Sequence, residues 1–332
     1  MEIINNMKAK AKANNKRLVL PEGTEMRTVK AAAGVVKEGF AASVTLLGKE
    51  AEVKAVAAKE GADLSGVAIL DPAGSPLVEK YANELYELRK HKGMTPEQAK
   101  KDITDPLRWG AMMVHLGDTD GMVAGADNAT ADVLRAGLNI IGTKPGMKTV
   151  SSHFIVITGD KSWGVDGCFI FADCAVVPDP TAEQLADIAI SAAHSCRDFL
   201  DAEPVVALLS YSTKGSGGDH PSVVKVREAL ALVKAREPSL IIDGEVQADT
   251  ALIPSVTDKK APGSPIRGRV NCMVFPNLAA GNIGIKLVQR VARANGFGPF
   301  LQGFAKPLSD LSRGATVEEI VNTCALTLAQ AK

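Results

Sequence analysis

Residues 17–47 read RLVLPEGTEMRTVKAAAGVVKEGFAASVTLL. A short apolar run, Arg17 to Leu20, gives way to a Pro/Glu/Gly/Thr cluster, and an Ala/Val/Lys segment with helical spacing follows from Met26 to Glu38. A second β-branched run, Ser43 to Leu47, closes the stretch. Short apolar runs bounded by turn formers signal strands, and the longer segment between them has the period of a helix. The alternation recurs along the chain. Further strand runs are Gly121 to Ala124, Val205 to Tyr211, Ile241 to Glu245 and Val270 to Phe275. Further helical stretches are Thr95 to Leu116, Ala129 to Ile140, Thr181 to Leu200, Ser222 to Arg236, Gly284 to Asn295 and Val317 to Ala331. Strands alternating with helices predict an α/β fold built on largely parallel sheets.

At roughly 150 residues per domain, 332 residues predict about two domains. A Gly/Pro/Lys cluster at Gly142 to Val150 and a Gly/Pro interruption at Asn295 to Pro299 are the expected breaks. They divide the chain into a discontinuous first domain, residues 1–145 with 297–332, and a continuous second domain, residues 146–296. The 38 basic and 38 acidic side chains cancel, which excludes a generally basic nucleic-acid binder, and 4% aromatics leave little surface for stacking bases. Five cysteines without C-x-x-C spacing fit neither a zinc ribbon nor a secreted disulfide framework. No stretch approaches ~18 uninterrupted apolar residues, so no membrane span is expected and a cytoplasmic protein is the default.

In open α/β sheets ligands bind beyond the carboxyl ends of the strands, where helix N-termini favour anions. Four polar loops stand at such junctions: GADNATADVLRAG, SYSTKGSGGDHPS, PNLAAGNIGIKLVQR and KPLSDLSRGATVEEIV. Three of them carry an arginine, Arg135, Arg290 or Arg313. A guanidinium grips phosphate with a planar fork, so arginines sharing one topological position point to a polyanionic ligand. In the second loop Thr213, Lys214, Gly215 and Ser216 suit close approach of backbone amides to a phosphate, and suit a flexible turn equally well. Neither the P-loop order nor G-x-G-x-x-G after a strand occurs. Asp243, Glu245 and Asp249 admit a Mg²⁺ or Ca²⁺ site, with an interior ion pair as the commoner explanation; no resident metal is expected.

The stretches LYELRKHKGMT, ADNATADVLRAGLNIIGTKPG, FADCAVVPDPTAEQLADIA, LSYSTKGS, DGEVQAD, FPNLAAGNIGIKLVQR and KPLSDLSRGA together resemble the phosphate acetyltransferase (phosphotransacetylase) family, from about Arg17 to the C-terminus. The resemblance implies two αβα domains with the active site in the cleft between them, and a homodimer. It implies reversible acetyl transfer between acetyl phosphate and coenzyme A, which enters as a substrate, so no cofactor is expected. The family's binding and catalytic residues fall on Arg89, Arg135, Arg290, Ser312 and Arg313. Asn282, in the same stretch as Arg290, is grouped with the substrate-binding residues. The family's general base falls on Glu319, where an Asp is usual, with Glu318 beside it. A Cys often found after the DLSRG motif is Ala315 here, so direct transfer in a ternary complex is expected rather than a covalent enzyme intermediate. The implied alternatives are a phosphate butyryltransferase-type enzyme, which differs only in its acyl pocket, and a non-catalytic module that binds acetyl-CoA.

Overall fold

The computed structural model describes residues 2–331. They form two compact units, residues 2–144 with 304–331, and residues 145–303. In chain order the first holds α1 (Glu2–Asn14), β1 (Arg17–Leu20), α2 (Met26–Glu38), β2 (Ser43–Leu47), α3 (Glu50–Glu60), β3 (Val67–Leu70), α4 (Val78–Arg89), α5 (Pro96–Asp102), α6 (Pro106–Leu116), β4 (Gly121–Ala124) and α7 (Thr130–Ala136). The second holds β5 (Ser151–Ile157), β6 (Cys168–Ala172), α8 (Ala182–Leu200), β7 (Val205–Leu209), α9 (Pro221–Arg236), β8 (Ile241–Val246), α10 (Ala248–Leu252), α11 (Pro254–Lys260), β9 (Cys272–Val274), α12 (Leu278–Arg290) and β10 (Asn295–Gln302). The chain then returns to the first unit with β11 (Leu308–Asp310) and α13 (Val317–Gln330).

The first sheet runs β11-β4-β1-β2-β3 with every neighbouring pair parallel. Its strands therefore end at one edge, where Ala124 stands beside Asp310 in register. β4 is buried along its whole length, as a strand covered on both faces must be. The second sheet runs β10-β5-β6-β9-β7-β8, antiparallel across β10, β5 and β6 and parallel from β6 to β8. The α/β class with largely parallel sheets is thus the observed one.

Helix ends follow local chemistry. α2 stops at Gly39, which takes the left-handed conformation (φ +66) and turns the chain toward β2. Thr95 to Leu116, read as one helix, is two: Asp105 caps α6 by accepting from the Arg108 N–H at 3.1 Å, and Pro106 occupies the first helical position. The helix expected from Gly284 begins earlier, at Leu278, because Asn277 accepts from the Ala280 N–H at 2.9 Å, and Asn295 opens a strand instead. Ala129 to Ile140 leaves α-helical geometry after Ala136 and continues as a π turn from Gly137 to Ile141. β3, β5, β6, β10 and β11 were not among the expected strands. The Gly/Pro stretch read as an interruption lies within β10, an edge strand paired to β5 with a bulge between Phe297 and Phe300. The chain accordingly crosses to the first unit between residues 303 and 304.

Candidate active site

In the first unit two loops leave adjacent parallel strands side by side: residues 125–129 after β4 and residues 311–316 after β11. A third strand end supplies the clamp. Glu22, just beyond β1 and 7% exposed, accepts the backbone N–H groups of Gly125, Ala126, Asp127 and Asn128 at 2.8–3.1 Å, and the Asn128 side-chain amide at 2.9 Å. One carboxylate thus satisfies the donors of a loop that would otherwise bury them unpaired. Gly125 is the residue that fits there: its φ is +108, and a Cβ would stand 2.4 Å from Oδ1 of Asp310.

Arg27, at the start of α2, holds both loops at once. Its Nη1 donates to the carbonyls of Arg313 and Ala315, its Nη2 donates to the carbonyl of Ala126, all at 2.8 Å, and its Nε pairs with Glu25 at 2.7 Å. Asp310 closes the arrangement from below. Its Oδ2 accepts from the Thr130 hydroxyl at 2.6 Å, while its Oδ1 is buried without a partner among the described residues. Burial pushes the Asp310 carboxyl up to about 6, the Thr130 hydrogen bond opposes the shift, and the Glu22 charge adds to it. Glu22, Arg27 and Asp310 were missed as site residues because their partners lie far away along the chain.

Ser312 and Arg313 stand exposed on the turn these contacts shape. The Ser312 Oγ accepts from the Gly314 N–H at 3.3 Å. The Arg313 guanidinium has no hydrogen bond or ion pair among the described residues. Glu319 lies in the first turn of α13 and completes a capping box: its Oε2 accepts from the Thr316 N–H at 2.7 Å, and the Thr316 Oγ1 accepts from the Glu319 N–H at 3.2 Å. Its other oxygen is uncommitted, and the residue is exposed, as is Glu318.

Two cavities lie in the same unit. Arg89, the last residue of α4, lines one of about 260 Å³, and Arg135 of α7 lines one of about 190 Å³. Arg108 belongs to the wall of both. Arg135 pairs with Asp132 at 2.6 Å, whereas Arg89 carries no ion pair among the described residues.

The remaining candidates belong to the second unit. Arg290 ends α12, exposed and without a partner among the described residues. The loop after β7 is internally satisfied. Thr213 Oγ1 accepts from the Gln247 N–H at 3.0 Å, Lys214 Nζ reaches Asp243 at 2.5 Å and donates to the Gly244 carbonyl at 3.0 Å, the Gly215 N–H donates to Glu245 at 2.7 Å, and Ser216 Oγ accepts from the Thr213 N–H at 2.9 Å. Asp243 and Glu245, both buried, therefore shape this loop, and Lys260 pairs with Asp249 at 2.7 Å. Asn282 donates to the Cys174 carbonyl at 3.1 Å and fastens α12 to the loop after β6.

Comparison with known proteins agrees with the fold. The profile described as phosphate acetyl/butaryl transferase matches residues 2–328. Phosphate acetyltransferase of Treponema pallidum is 54% identical over 332 residues, covering 99% of both chains. Phosphate acetyltransferase of Thermoanaerobacterium thermosaccharolyticum is 50% identical, covering 100% of both. Among solved structures, a phosphotransacetylase from Streptococcus pyogenes superposes with a TM-score of 0.93 at 40% identity, covering 99% of this chain and 98% of that one. On this full-length match, the chain belongs to the phosphate acetyl/butaryl transferase family.

Proposed function

We propose that this protein catalyses reversible transfer of an acetyl group between acetyl phosphate and the thiol of coenzyme A. The observation that carries the reading is the turn after β11, which holds Ser312 beside an Arg313 guanidinium that has no partner among the described residues. The naming of the full-length relatives as phosphate acetyltransferases supports the acetyl group as the one moved.

Glu319 takes the thiol proton on its uncommitted oxygen while the Thr316 N–H holds the other oxygen in place. A free thiol has a pKa of about 8.5, so a modest push supplies the thiolate. The sulfur forms its bond to the acetyl carbonyl carbon, negative charge collects on the carbonyl oxygen, and the bond from carbon to the phosphate oxygen then breaks as phosphate leaves with the electron pair. Ser312 and Arg313 face the developing oxyanion. Arg89, Arg135 and Arg290 bind the phosphate-bearing substrates, and Thr213, Lys214, Gly215, Ser216 and Asn282 support substrate binding by fixing their loops. The step balances with coenzyme A as a substrate and calls on no further cofactor.

The chain works as a homodimer in the cytoplasm. An apolar line on the second unit supports pairing: Ile283, Leu287 and Val291 follow one another at four-residue spacing and are 59%, 55% and 78% exposed. Cys174, Cys196, Cys272 and Cys324 form no disulfide among the described residues, which suits a reducing compartment. No helix among the described residues is long and apolar enough to cross a membrane.

The test is an assay of acetyl-CoA formation from coenzyme A and acetyl phosphate, run in parallel with butyryl phosphate. Turnover with kcat/KM higher for acetyl phosphate supports the reading. A higher value for butyryl phosphate makes the protein a butyryl enzyme, and acetyl-CoA binding without turnover makes it a non-catalytic module.

A further inference from the structure

The cavities lined by Arg89 and by Arg135 differ in charge. The smaller is balanced, Arg108 and Arg135 against Asp105 and Asp132, and Arg135 is already held by Asp132. The larger is lined by Arg89, Lys92 and Arg108 against Asp102 alone, with the amides of Gln98 and Asn139 completing its polar wall. Its cations are also available. Arg89 and Lys92 have no hydrogen bond or ion pair among the described residues. Arg108 is anchored through its backbone N–H, which donates to Asp105, but its guanidinium stays 3.8 Å from that carboxylate, outside hydrogen-bond range. Arg108 thus keeps only a long ion pair, Arg89 and Lys92 keep none among the described residues, and Asp102 is the one carboxylate in the wall, so the hollow carries an excess of positive charge that an anion would offset. Clefts that enclose a whole small ligand run about 300–1,000 Å³. At about 260 Å³ the hollow suits one substituent of a larger molecule.

We propose that Arg108 and Lys92 are further ligands of a phosphate group of coenzyme A, gripping it together with Arg89. The assignment rests on the acetyl-transfer reading above and extends it to Lys92, which shares a motif with Arg89 but was given no role there, and to Arg108, which lies outside the quoted motifs. The phosphate is either the ribose monoester or the diphosphate of the linker. Both present several acceptor oxygens to a guanidinium fork and an ammonium. If Arg108 only braced α6 against Asp105, removing it would change stability and leave substrate affinity alone.

The experiment measures KM for coenzyme A, dephospho-coenzyme A and acetyl phosphate, with calorimetric Kd for coenzyme A, in wild type, Arg108→Gln and Lys92→Gln. Lys92 is an exposed residue on a short turn, so its variant keeps the test valid should Arg108→Gln fold poorly. Charge-assisted hydrogen bonds of this kind are worth about tenfold or more in affinity. KM and Kd for coenzyme A are expected to rise about tenfold in Arg108→Gln and severalfold in Lys92→Gln, with a much smaller change for acetyl phosphate. A difference that vanishes with dephospho-coenzyme A assigns the ribose phosphate, and one that persists assigns the diphosphate. Unchanged coenzyme A affinity in both variants, or a rise confined to acetyl phosphate, overturns the proposal. Absence of turnover and of coenzyme A binding in the wild type would instead overturn the functional reading on which it rests.

Discussion

Asp310 accepts a 2.6 Å hydrogen bond from the hydroxyl of Thr130, tying the end of β11 to the first turn of α7. The bond joins the turn carrying Ser312 and Arg313 to the helix carrying Arg135. It satisfies one carboxylate oxygen and leaves the other buried beside Gly125.

Stability should therefore depend on pH through Asp310. Its folded-state pKa, raised by burial to about 6, exceeds the unfolded value of 3.8, so the folded state holds the proton more tightly. The contribution is fully present below about pH 4 and is lost as pH rises through about 6, with a total on the order of 3 kcal/mol. Asp310→Asn keeps the acceptor for Thr130 and removes the titration. Its unfolding free energy, measured by denaturant from pH 4 to pH 8, should lack the part of the wild-type decline that Asp310 causes. Identical pH profiles for the two proteins would remove Asp310 as the source.

Glu22→Gln replaces one accepting oxygen with an amide that can only donate. Several of the N–H groups of residues 125–128 then face another donor, and each buried unsatisfied group costs about 1–3 kcal/mol. We expect a loss of about 3 kcal/mol in stability and faster amide exchange at these residues. Wild-type exchange rates there would show that the loop does not depend on this carboxylate.

Glu319→Gln separates capping from proton transfer, because Gln serves equally well at the third position of a capping box. The thermal midpoint should stay near that of wild type, while kcat near neutral pH falls about 10²-fold and recovers partly toward high pH, where the thiol ionises unaided. Activity equal to wild type from pH 6 to 9, or a comparable loss in Glu318→Gln, would move the base elsewhere.

Much of the fold was legible in local patterns. β1, β2, β4 and α2 have the ends that their apolar runs and flanking Pro, Gly and Asp suggest. Strand β5 escaped because it opens Ser-Ser-His, polar residues that its sheet nonetheless buries. β10 escaped because Gly296, Gly298 and Pro299 read as breakers, yet an edge strand tolerates Pro and a bulge absorbs the irregularity. At the site, arginines in recurring loops stood out as candidate anion ligands, since charge type and position relative to strand ends are local facts. Glu22 and Arg27 were not. Each sits in a Pro/Glu/Gly/Thr cluster or a first helical turn where a surface role is the ordinary reading. Their function becomes apparent only when β4 and β11 bring residues 125–128 and 313–315 beside them. Arg108 hides behind Asp105 for the same reason, as an i,i+3 pair on a helix start looks like capping.

If the turn after β11 performs the acyl transfer, kcat of Arg313→Ala in the acetyl-CoA-forming assay must fall. Its guanidinium makes no contact that the fold needs, while Arg27 holds the turn through the Arg313 carbonyl, which the substitution retains. We expect a folded protein with wild-type thermal midpoint and a kcat about 10²-fold lower or worse, since an oxyanion-stabilising donor is worth about 10²–10³ in rate. A folded Arg313→Ala variant with wild-type kcat would contradict it.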